Sequence, residues 1–384
     1  MNFRFLLPLF VVCATGFAQT APRARALGVP FDGTPGPLDA ITDVKGVEVG
    51  DTTLIRGEGK LVVGQGPVRT GVTVIFPRGR ADADPVYAGW FSQNGNGEMT
   101  GTTWVEESGF LEGPIGITNT HSVGLVRDSI IAWSVKSGRL AQQPWSLPVV
   151  AETWDGYLND INGFHVQQAD VFSALDTAMA GPVPEGNVGG GTGMVCYGFK
   201  GGDGTASRVL SADAGGYTVG VLVQCNCGRR PQLTIAGVPV GKLIPAAPAK
   251  AMLEPEVRGD VGSIIIVVAT DAPLLPGQLK RLARRATMGL ARTGSSSGNS
   301  SGDIFIAFST ANRGAGKEPG PNSVLTVSNE RISPLFQSTV EATEEAIVNA
   351  MVGAQTMTGI DGHTIDALPH DKLTELMKRS PQVK

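Results

Sequence analysis

Several runs of apolar residues along the chain have the length and composition expected for buried strands. Residues 264–269 form an unbroken apolar run rich in β-branched side chains, which is typical of a central strand with both faces covered. Residues 217–223 and 71–76 have the same character, and residues 303–309 alternate along the run. The pattern at residues 41–54 also predicts a strand. We therefore expect these five segments to form sheets in the interior.

Other segments carry the helical period instead. Residues 278–292 place leucine and alanine on one face and four lysine and arginine side chains on the other, which predicts an amphipathic helix. Helices are also predicted at 128–137, 171–180 and 338–351, and the polar tail from residue 371 is expected to fray. Because strands and helices alternate without a clear break, we expect one layered α/β domain.

The first 18 residues predict an export signal. A short, weakly basic head precedes an apolar stretch at 5–14, and the small residues Gly16 and Ala18 supply a cleavage site after Ala18. The apolar stretch is too short to span a bilayer comfortably. A buried N-terminal strand is the structural alternative. We expect a soluble periplasmic or secreted product, with no membrane attachment after the signal is removed.

The composition and net charge of the chain exclude some classes of function. The chain has 384 residues, of which 41% are hydrophobic and 17% charged, as in a globular protein with a large core. A net charge of -4 and the lack of a basic block argue against nucleic acid as a partner.

Cysteine and histidine usage does not indicate a metal. Signal removal leaves Cys196, Cys225 and Cys227, which are too few for a disulfide framework in a chain of this length. The one-residue spacing of the last two does not match common metal-ligand spacing, and the four histidines are scattered. We expect no bound metal.

Several polar residues lie where apolar strands begin or end. Ser263 follows Gly262 at the start of one run, Asn226 follows another, and Ser301 precedes a third, while Glu152 lies in an otherwise apolar segment. Polar groups at strand ends often belong to active sites. From the residues alone, each also has a structural explanation: a Gly-Ser turn, a turn-capping asparagine, a serine-rich linker and a capping carboxylate.

The glycine-rich segment 186–193 is not a phosphate loop. It lacks the lysine and the strand-loop-helix context of that motif, so we interpret it as a turn shaped by close packing.

Five blocks of sequence occur in an order that matches a known family. They are Val149-Val-Ala-Glu-Thr-Trp-Asp-Gly156, Gly189-Gly-Gly-Thr-Gly-Met194, Val223-Gln-Cys-Asn226, Gly262-Ser-Ile-Ile-Ile-Val-Val-Ala-Thr-Asp271 running on to residue 285, and Ser300-Ser-Gly-Asp-Ile-Phe305. Through these blocks, most of residues 25–350 resembles the L-aminopeptidase/D-esterase and β-aminopeptidase family.

The resemblance implies an inactive precursor that cleaves itself between Gly262 and Ser263. Residues 19–262 and 263–384 would then be the α- and β-subunit parts of one catalytic domain. A serine hydroxyl needs a base, and the freed α-amine, with a reference pKa of roughly 7.7–8.0, supplies one. Before cleavage that nitrogen is an amide and cannot serve. Gly262 has no side chain to obstruct attack on its carbonyl.

The resemblance also implies roles for five further residues. Ser301 matches a serine that hydrogen-bonds the Ser263 amine or hydroxyl, and Asp303 an acid that holds this array. Asn226 matches an oxyanion-stabilising amide. Glu152 is expected to anchor the free amino group of the substrate. Trp154 departs from the pattern, because some family members have a tyrosine there and an indole cannot exchange protons as a phenol does.

The function implied is a self-processing serine aminopeptidase that removes N-terminal α- or β-amino acids from short peptides, amides and esters. The family implies a four-layered α/β/β/α sandwich, a homo-oligomer, namely a tetramer of αβ units, and no cofactor. Two alternatives differ in class: an ornithine acetyltransferase-like acyltransferase, which self-cleaves at threonine, and a non-catalytic periplasmic binding protein. The serine at position 263 and the export signal argue against the first.

Overall fold

The structure, a computed structural model, describes residues 22–140, 145–245, 262–316 and 321–379. The predicted signal peptide and residues 246–261, which precede Gly262, lie outside these residues. Among the helices within the four described stretches, none has both the length and the apolar character needed to cross a bilayer.

The strands of the described stretches are short to medium in length. They are β1 (Glu48–Arg56), β2 (Val68–Phe76), β3 (Val86–Gly95), β4 (Phe110–Leu111), β5 (Ile115–Asn119), β6 (Val149–Thr153), β7 (Val195–Cys196), β8 (Phe199–Lys200), β9 (Gly202–Val209), β10 (Thr218–Asn226), β11 (Ser263–Thr270), β12 (Gly302–Ser309), β13 (Met357–Thr358) and β14 (Thr364–Ile365).

The α-helices lie between and after these strands. They are α1 (Thr102–Ser108), α2 (Val123–Lys136), α3 (Gln168–Thr177), α4 (Val240–Leu243), α5 (Pro276–Arg292), α6 (Ser333–Val352) and α7 (His370–Arg379).

Two sheets form the centre of the fold. The larger has the strand order β4-β3-β12-β11-β10-β9 and the smaller has the order β1-β2-β5-β6. Within the larger sheet, β11 and β12 run parallel, while β10 pairs with β11 in the antiparallel sense. The first residues of β11 and β12 therefore meet the last residues of β10 at one end of the sheet.

The apolar run of β11 is unbroken because both of its faces are covered. Ile264 and Ile266 pack into a cluster with α5 and α6, whereas Ile265 and Val267 pack between the two sheets. All eight residues of β11 are buried. Side chains of a strand alternate between faces, so one sequence run supplies two cores.

Helices cover the outer faces of both sheets. The apolar stripe of α5 and much of α6 pack on the larger sheet, and α2 and α3 pack on the outer face of the smaller one. The order of layers is helix, sheet, sheet, helix. The predicted four-layered α/β/β/α sandwich is confirmed.

Three predicted elements differ from the observed ones. The helix expected to start near Asp128 begins at Val123, because the side chain of Asn119 caps the preceding 3-10 turn by accepting from the N–H groups of His121 and Ser122. The strand expected at 41–54 is a 3-10 turn followed by β1. The tail expected to fray is helix α7 as far as residue 379, since Leu373 and Met377 bury an apolar face.

Candidate active site

Ser263 is the first residue of β11 and lies between two neighbouring strand ends. Its partner across the antiparallel pair is Asn226, the last residue of β10, and its partner across the parallel pair is Gly302. Ser263 is 6% exposed and Asn226 is also 6% exposed. The structure thus brings together three segments that lie far apart in the sequence.

The carbonyl group of Gly262 is hydrogen-bonded in the uncut chain. The backbone N–H of Gly302 donates to the Gly262 oxygen, with 3.1 Å between nitrogen and oxygen. A donor at this position polarises the carbonyl that the Ser263 hydroxyl would attack, and it stabilises negative charge on the oxygen.

Gly262 is also enclosed by backbone. A Cβ atom placed on it would lie 3.2 Å from the Cα of Cys227 and 3.3 Å from the carbonyl oxygen of Asn226. Because these neighbours are main-chain atoms of a sheet end, they cannot easily move aside. Close packing therefore favours glycine immediately before Ser263.

Ser301 and Asp303 flank Gly302 and interact with each other. The Ser301 hydroxyl donates to Oδ1 of Asp303 over 2.6 Å, and Asp303 is fully buried. Burial raises the pKa of the Asp303 carboxyl, and the hydrogen bond from Ser301 opposes that shift. Among the described residues, no lysine, arginine or histidine forms an ion pair with Asp303. Within the four described stretches, the carboxyl group therefore has no positive partner.

The side-chain amide of Asn226 has a defined orientation. Its Oδ1 accepts a hydrogen bond from the backbone N–H of Val195 over 2.8 Å. Since a backbone N–H requires an acceptor, the oxygen must face Val195 and the NH2 group must form the other edge of the amide. Asn226 can therefore act as a hydrogen-bond donor next to Ser263.

Glu152 belongs to the smaller sheet, where it lies near the end of β6. It is 3% exposed, and its Oε1 accepts from the backbone N–H of Glu98 over 3.0 Å. Its Oε2 accepts from the hydroxyl of Thr120. Burial raises the pKa of Glu152, and these hydrogen bonds oppose the shift. A buried carboxylate held in this way suits recognition of an ammonium group.

A segment that sequence reasoning missed joins Glu152 to the Ser263 region. A Cβ atom placed on Gly97 would lie 3.1 Å from the Cα of Gly302 and 3.2 Å from Oε1 of Glu152. Glu152 and Gly302, which pairs with Ser263, therefore both lie close to Gly97. Strand β3 continues to Gly95, so Gly97 lies just beyond the end of that strand.

Two asparagines of the same segment donate hydrogen bonds to carbonyls of the serine-rich segment 295–302. The backbone N–H of Asn96 donates to the carbonyl of Ser301 over 3.2 Å, and its side chain donates to that of Ser300 over 2.7 Å. The Asn94 side chain donates to the carbonyl of Ser297 over 3.1 Å. The alternation of asparagine and glycine at 94–97 was the available signal, because glycine marks close approach and asparagine bonds to backbone.

Trp154 follows β6 and is half-buried. Its ring packs against Gly156, where an added Cβ atom would lie 2.7 Å from Nε1 of the indole. In the described part of the chain, no hydrogen bond joins the indole to Ser263, Asn226 or Glu152. The structure thus places Trp154 two residues from Glu152, with its indole ring packed against Gly156.

The glycine-rich segment forms a buried 3-10 turn at Gly189–Gly193. A Cβ atom on Gly190 would lie 2.0 Å from Oε1 of Gln224, and one on Gly191 would lie 2.2 Å from the nitrogen of Asp203. Close packing explains these glycines, as predicted.

The three cysteines expected after signal removal lie together. Their sulfur atoms all lie within 4.8 Å of one another, and Cys196 is joined to Cys225 in a disulfide. Three sulfur ligands are a set that soft metals favour, but the disulfide leaves only the Cys227 thiol. Sequence spacing did not reveal this cluster, because Cys196 comes from a different hairpin.

Comparisons with known proteins agree with this geometry. The family model described as peptidase family S58 matches residues 39–365. A β-peptidyl aminopeptidase BapA from Sphingosinicella microcystinivorans is 56% identical, over 96% of this chain and 95% of that protein. A second BapA, from Sphingosinicella xenopeptidilytica, is 50% identical, over 97% and 96% respectively.

Solved structures are similar over nearly the whole chain. The L-aminopeptidase D-Ala-esterase/amidase of Ochrobactrum anthropi, described as a prototype for the serine aminopeptidases and a variant of the Ntn hydrolase fold, has a TM-score of 0.87. It is 48% identical, over 94% of this chain and 100% of that one. A Burkholderia sp. β-aminopeptidase has a TM-score of 0.83 and 48% identity, over 94% and 99%.

Proposed function

The chain belongs to peptidase family S58, and we propose that Ser263 is both the residue at which it cleaves itself and the nucleophile of the resulting aminopeptidase. The family and its relatives make the protein a hydrolase with the N-terminal-nucleophile aminopeptidase fold. The observation that carries the assignment of Ser263 is its place beside Asn226 and Gly302, with the Gly262 carbonyl already hydrogen-bonded.

Self-cleavage begins with the Ser263 hydroxyl. Its Oγ attacks the carbonyl carbon of Gly262, and the Gly302 N–H holds the oxygen as it becomes negative. The peptide nitrogen of Ser263 leaves with a proton, which gives an ester between Gly262 and the serine oxygen. Water then hydrolyses that ester. The products are a carboxylate on Gly262 and a free α-amine on Ser263.

The new amine can place a positive charge next to Asp303. The pairing of Ile264 with Asp303 places the start of β11 next to the buried acid, which has no cationic partner among the described residues of the uncut chain. A protonated amine on Ser263 would supply that charge, and the Ser301 hydroxyl already donates to the acid. Ionised Asp303 would in turn favour the protonated form of the amine.

Hydrolysis of substrate repeats the same chemistry on a second carbonyl. The neutral α-amine takes the proton from the Ser263 hydroxyl as the oxygen attacks the acyl carbon, and it gives that proton to the departing amine or alcohol. The acyl group remains on Ser263 until water releases it. After self-cleavage the Gly302 N–H no longer serves the Gly262 peptide, so it joins the Asn226 amide as an oxyanion donor.

The substrate is a small peptide, amide or ester with a free amino group. Glu152 provides the negative group for that ammonium, and Gly97 leaves the space between Glu152 and the Ser263 end of the sheet unobstructed by a side chain. Two relatives that are 56% and 50% identical are named β-peptidyl aminopeptidase, and these names support β-amino acyl groups as substrates of this chain.

The proposals for location and assembly rest on the N-terminal sequence and the family resemblance. We propose an exported enzyme whose residues 1–18 are removed, and a homo-oligomer of αβ units.

Trapping the acyl-enzyme tests the assignment of Ser263. The purified enzyme is mixed with a β-alanyl ester, quenched in acid, digested and analysed by mass spectrometry. We expect the acyl group on the peptide that begins at Ser263, in wild type and in a Ser300→Ala control. Rapid ester hydrolysis with an adduct elsewhere contradicts the assignment. When an amino acid is added as acceptor, transfer of the β-alanyl group to its amine in place of hydrolysis would favour the acyltransferase alternative.

A further inference from the structure

Two elements that position Asn226 are joined by a disulfide. The bond links Cys196 in β7 to Cys225 in β10, and both residues are fully buried. The third cysteine is a thiol, with its Sγ 3.5 Å from that of Cys225 and 4.0 Å from that of Cys196. All three residues lie immediately around the amide proposed to stabilise the oxyanion.

The disulfide runs alongside the hydrogen bond that orients Asn226. Cys196 follows Val195, whose N–H donates to Oδ1 of Asn226 over 2.8 Å, and Cys225 precedes Asn226. One residue further on, the N–H of Tyr197 donates to the carbonyl of Cys227 over 2.7 Å. Residues 195–197 thus follow residues 225–227 through two hydrogen bonds with one covalent bond between them.

The segment that carries Val195 is not a strand of the larger sheet, although it is buried and the Arg230 side chain donates to the carbonyl of Tyr197 over 3.0 Å. In the described part of the chain, β7 pairs only with β8, in a separate two-stranded hairpin. The turn of that hairpin contains Tyr197 at a φ of 50° and Gly198 at a φ of 69°. A left-handed conformation is unfavourable for tyrosine and persists only when its surroundings enforce it. A covalent link beside the turn provides such enforcement.

We propose that the Cys196–Cys225 disulfide positions the Asn226 amide for oxyanion stabilisation, so that catalytic turnover depends on the oxidation state of this pair. The inference rests on the proposed function. Reduction breaks the S–S bond with two electrons and two protons from an added dithiol, which becomes a cyclic disulfide, and leaves two thiols in the protein. The Val195 donor is then held beside Asn226 by hydrogen bonds and buried packing, without the covalent link next to it.

The expected defect is in turnover rather than in amine binding. Glu152 lies in the other sheet, and its hydrogen-bond donors are Glu98 and Thr120, neither of which adjoins a cysteine. Loss of oxyanion alignment lowers kcat, whereas the ammonium anchor and its contribution to KM remain. A purely structural disulfide would change stability without this separation.

Cys227 provides the matched control. It is as buried as the paired cysteines, and burial raises the pKa of its thiol, with nearby Asp303 acting in the same direction. Since the thiolate is the reactive form, Cys227 is a poor nucleophile toward the neighbouring disulfide. Cys227→Ala removes a sulfur from the same cluster and leaves the Cys196–Cys225 disulfide intact.

The test compares the mature enzyme before and after dithiothreitol treatment under native conditions. Thiols are counted by alkylation and mass spectrometry, and kcat and KM are measured with β-alanyl p-nitroanilide. We expect kcat to fall about 10-fold on reduction, with KM changed less than twofold, because small displacements of catalytic groups have large kinetic effects. Cys227→Ala should behave as wild type, and reoxidation should restore turnover.

Several outcomes would decide whether the disulfide positions Asn226. Three free thiols in the untreated enzyme, or an unchanged kcat once the disulfide is shown to be open, overturn the inference. If the buried bond resists the reductant, kcat is measured for the double variant Cys196→Ala/Cys225→Ala. An unchanged kcat in that variant also overturns the inference. A wild-type enzyme that is inactive before treatment points instead to failure of the proposed function, and the alkylation count still reports the disulfide.

Discussion

The backbone N–H of Gly302 and the carbonyl oxygen of Gly262 are hydrogen-bonded, with 3.1 Å between them. This contact connects the two reactions proposed for the protein. While the chain is uncut, the donor serves the bond that is to be broken. Once that bond is hydrolysed, the same donor can serve the carbonyl of a substrate. A single sheet end would therefore support both self-cleavage and aminopeptidase turnover.

Gly262→Ala should slow self-cleavage. The new Cβ atom would press against the backbone of Cys227 and Asn226 and displace the carbonyl from the Gly302 donor. We expect a loss of about 10-fold or more in the cleavage rate, since small misplacements of reacting groups carry penalties of this size. The rate is measured by gel electrophoresis after synthesis of the precursor. Gly277→Ala is the control, because nothing lies within 4 Å of a Cβ there; equal rates for both variants and wild type contradict the prediction.

Asn226→Ala should reduce turnover without weakening substrate binding. Removing one oxyanion donor typically costs about 100- to 1000-fold in kcat. Asn226→Asp keeps the size but replaces the NH2 donor with an oxygen, so it should be at least as impaired. Steady-state kinetics on the mature enzyme separate kcat from KM. A variant whose defect lies in KM alone would assign Asn226 to substrate binding instead.

Glu152→Gln should raise KM and change the pH profile. Burial raises the pKa of Glu152, so its carboxylate is lost at a higher pH than an ordinary glutamate. As pH falls through that pKa, the anchor for the substrate ammonium disappears and kcat/KM of the wild type declines. The variant should lack this acid limb and lose about 30-fold in kcat/KM, the scale of a broken buried charge pair. Glu106→Gln, at an exposed ion pair with Lys280, is the control; an unaltered acid limb in Glu152→Gln contradicts the role.

Buried Asp155 should make the fold less stable as pH rises. Burial raises its pKa to about 7, so between its unfolded value near 3.8 and about 7 the folded chain binds the extra proton. The free energy of unfolding therefore decreases with rising pH in this window, by up to about 1.4 kcal/mol per pH unit. Asp155→Asn should flatten the slope, measured by urea unfolding of the uncut Ser263→Ala protein at pH 5 and 7. Asp213→Asn, at an exposed position, should leave the slope unchanged; an equal slope in both would exclude Asp155 as its source.

The sequence patterns identified the interior of the fold well. The buried strands at β2, β10, β11 and β12 were visible because both faces of each are covered, so apolar residues run on without interruption. Helix α5 was visible because its two faces differ strongly. In contrast, the start of α2 was misplaced, since its cap is a side chain at the end of the preceding strand.

The parts of the site that sequence could not supply are contacts between distant segments. The hydrogen bond from Val195 to Asn226, the donor at Gly302 and the disulfide between Cys196 and Cys225 depend on how strands align, not on local patterns. Ser263, Asn226, Ser301 and Asp303 were selected through family blocks, and the structure places them at one sheet end. Glu152 was selected in the same way, although its link through Gly97 was not foreseen.

The central claim is that the chain cleaves itself between Gly262 and Ser263 to free its nucleophile. The most direct measurement is the intact mass of the purified protein under denaturing conditions, with N-terminal sequencing of each chain. We predict two chains, the smaller beginning Ser263-Ile264-Ile265, and a single inactive chain for Ser263→Ala. An active wild type that remains one chain, or a Ser263→Ala protein that still splits at the same bond, would contradict the account.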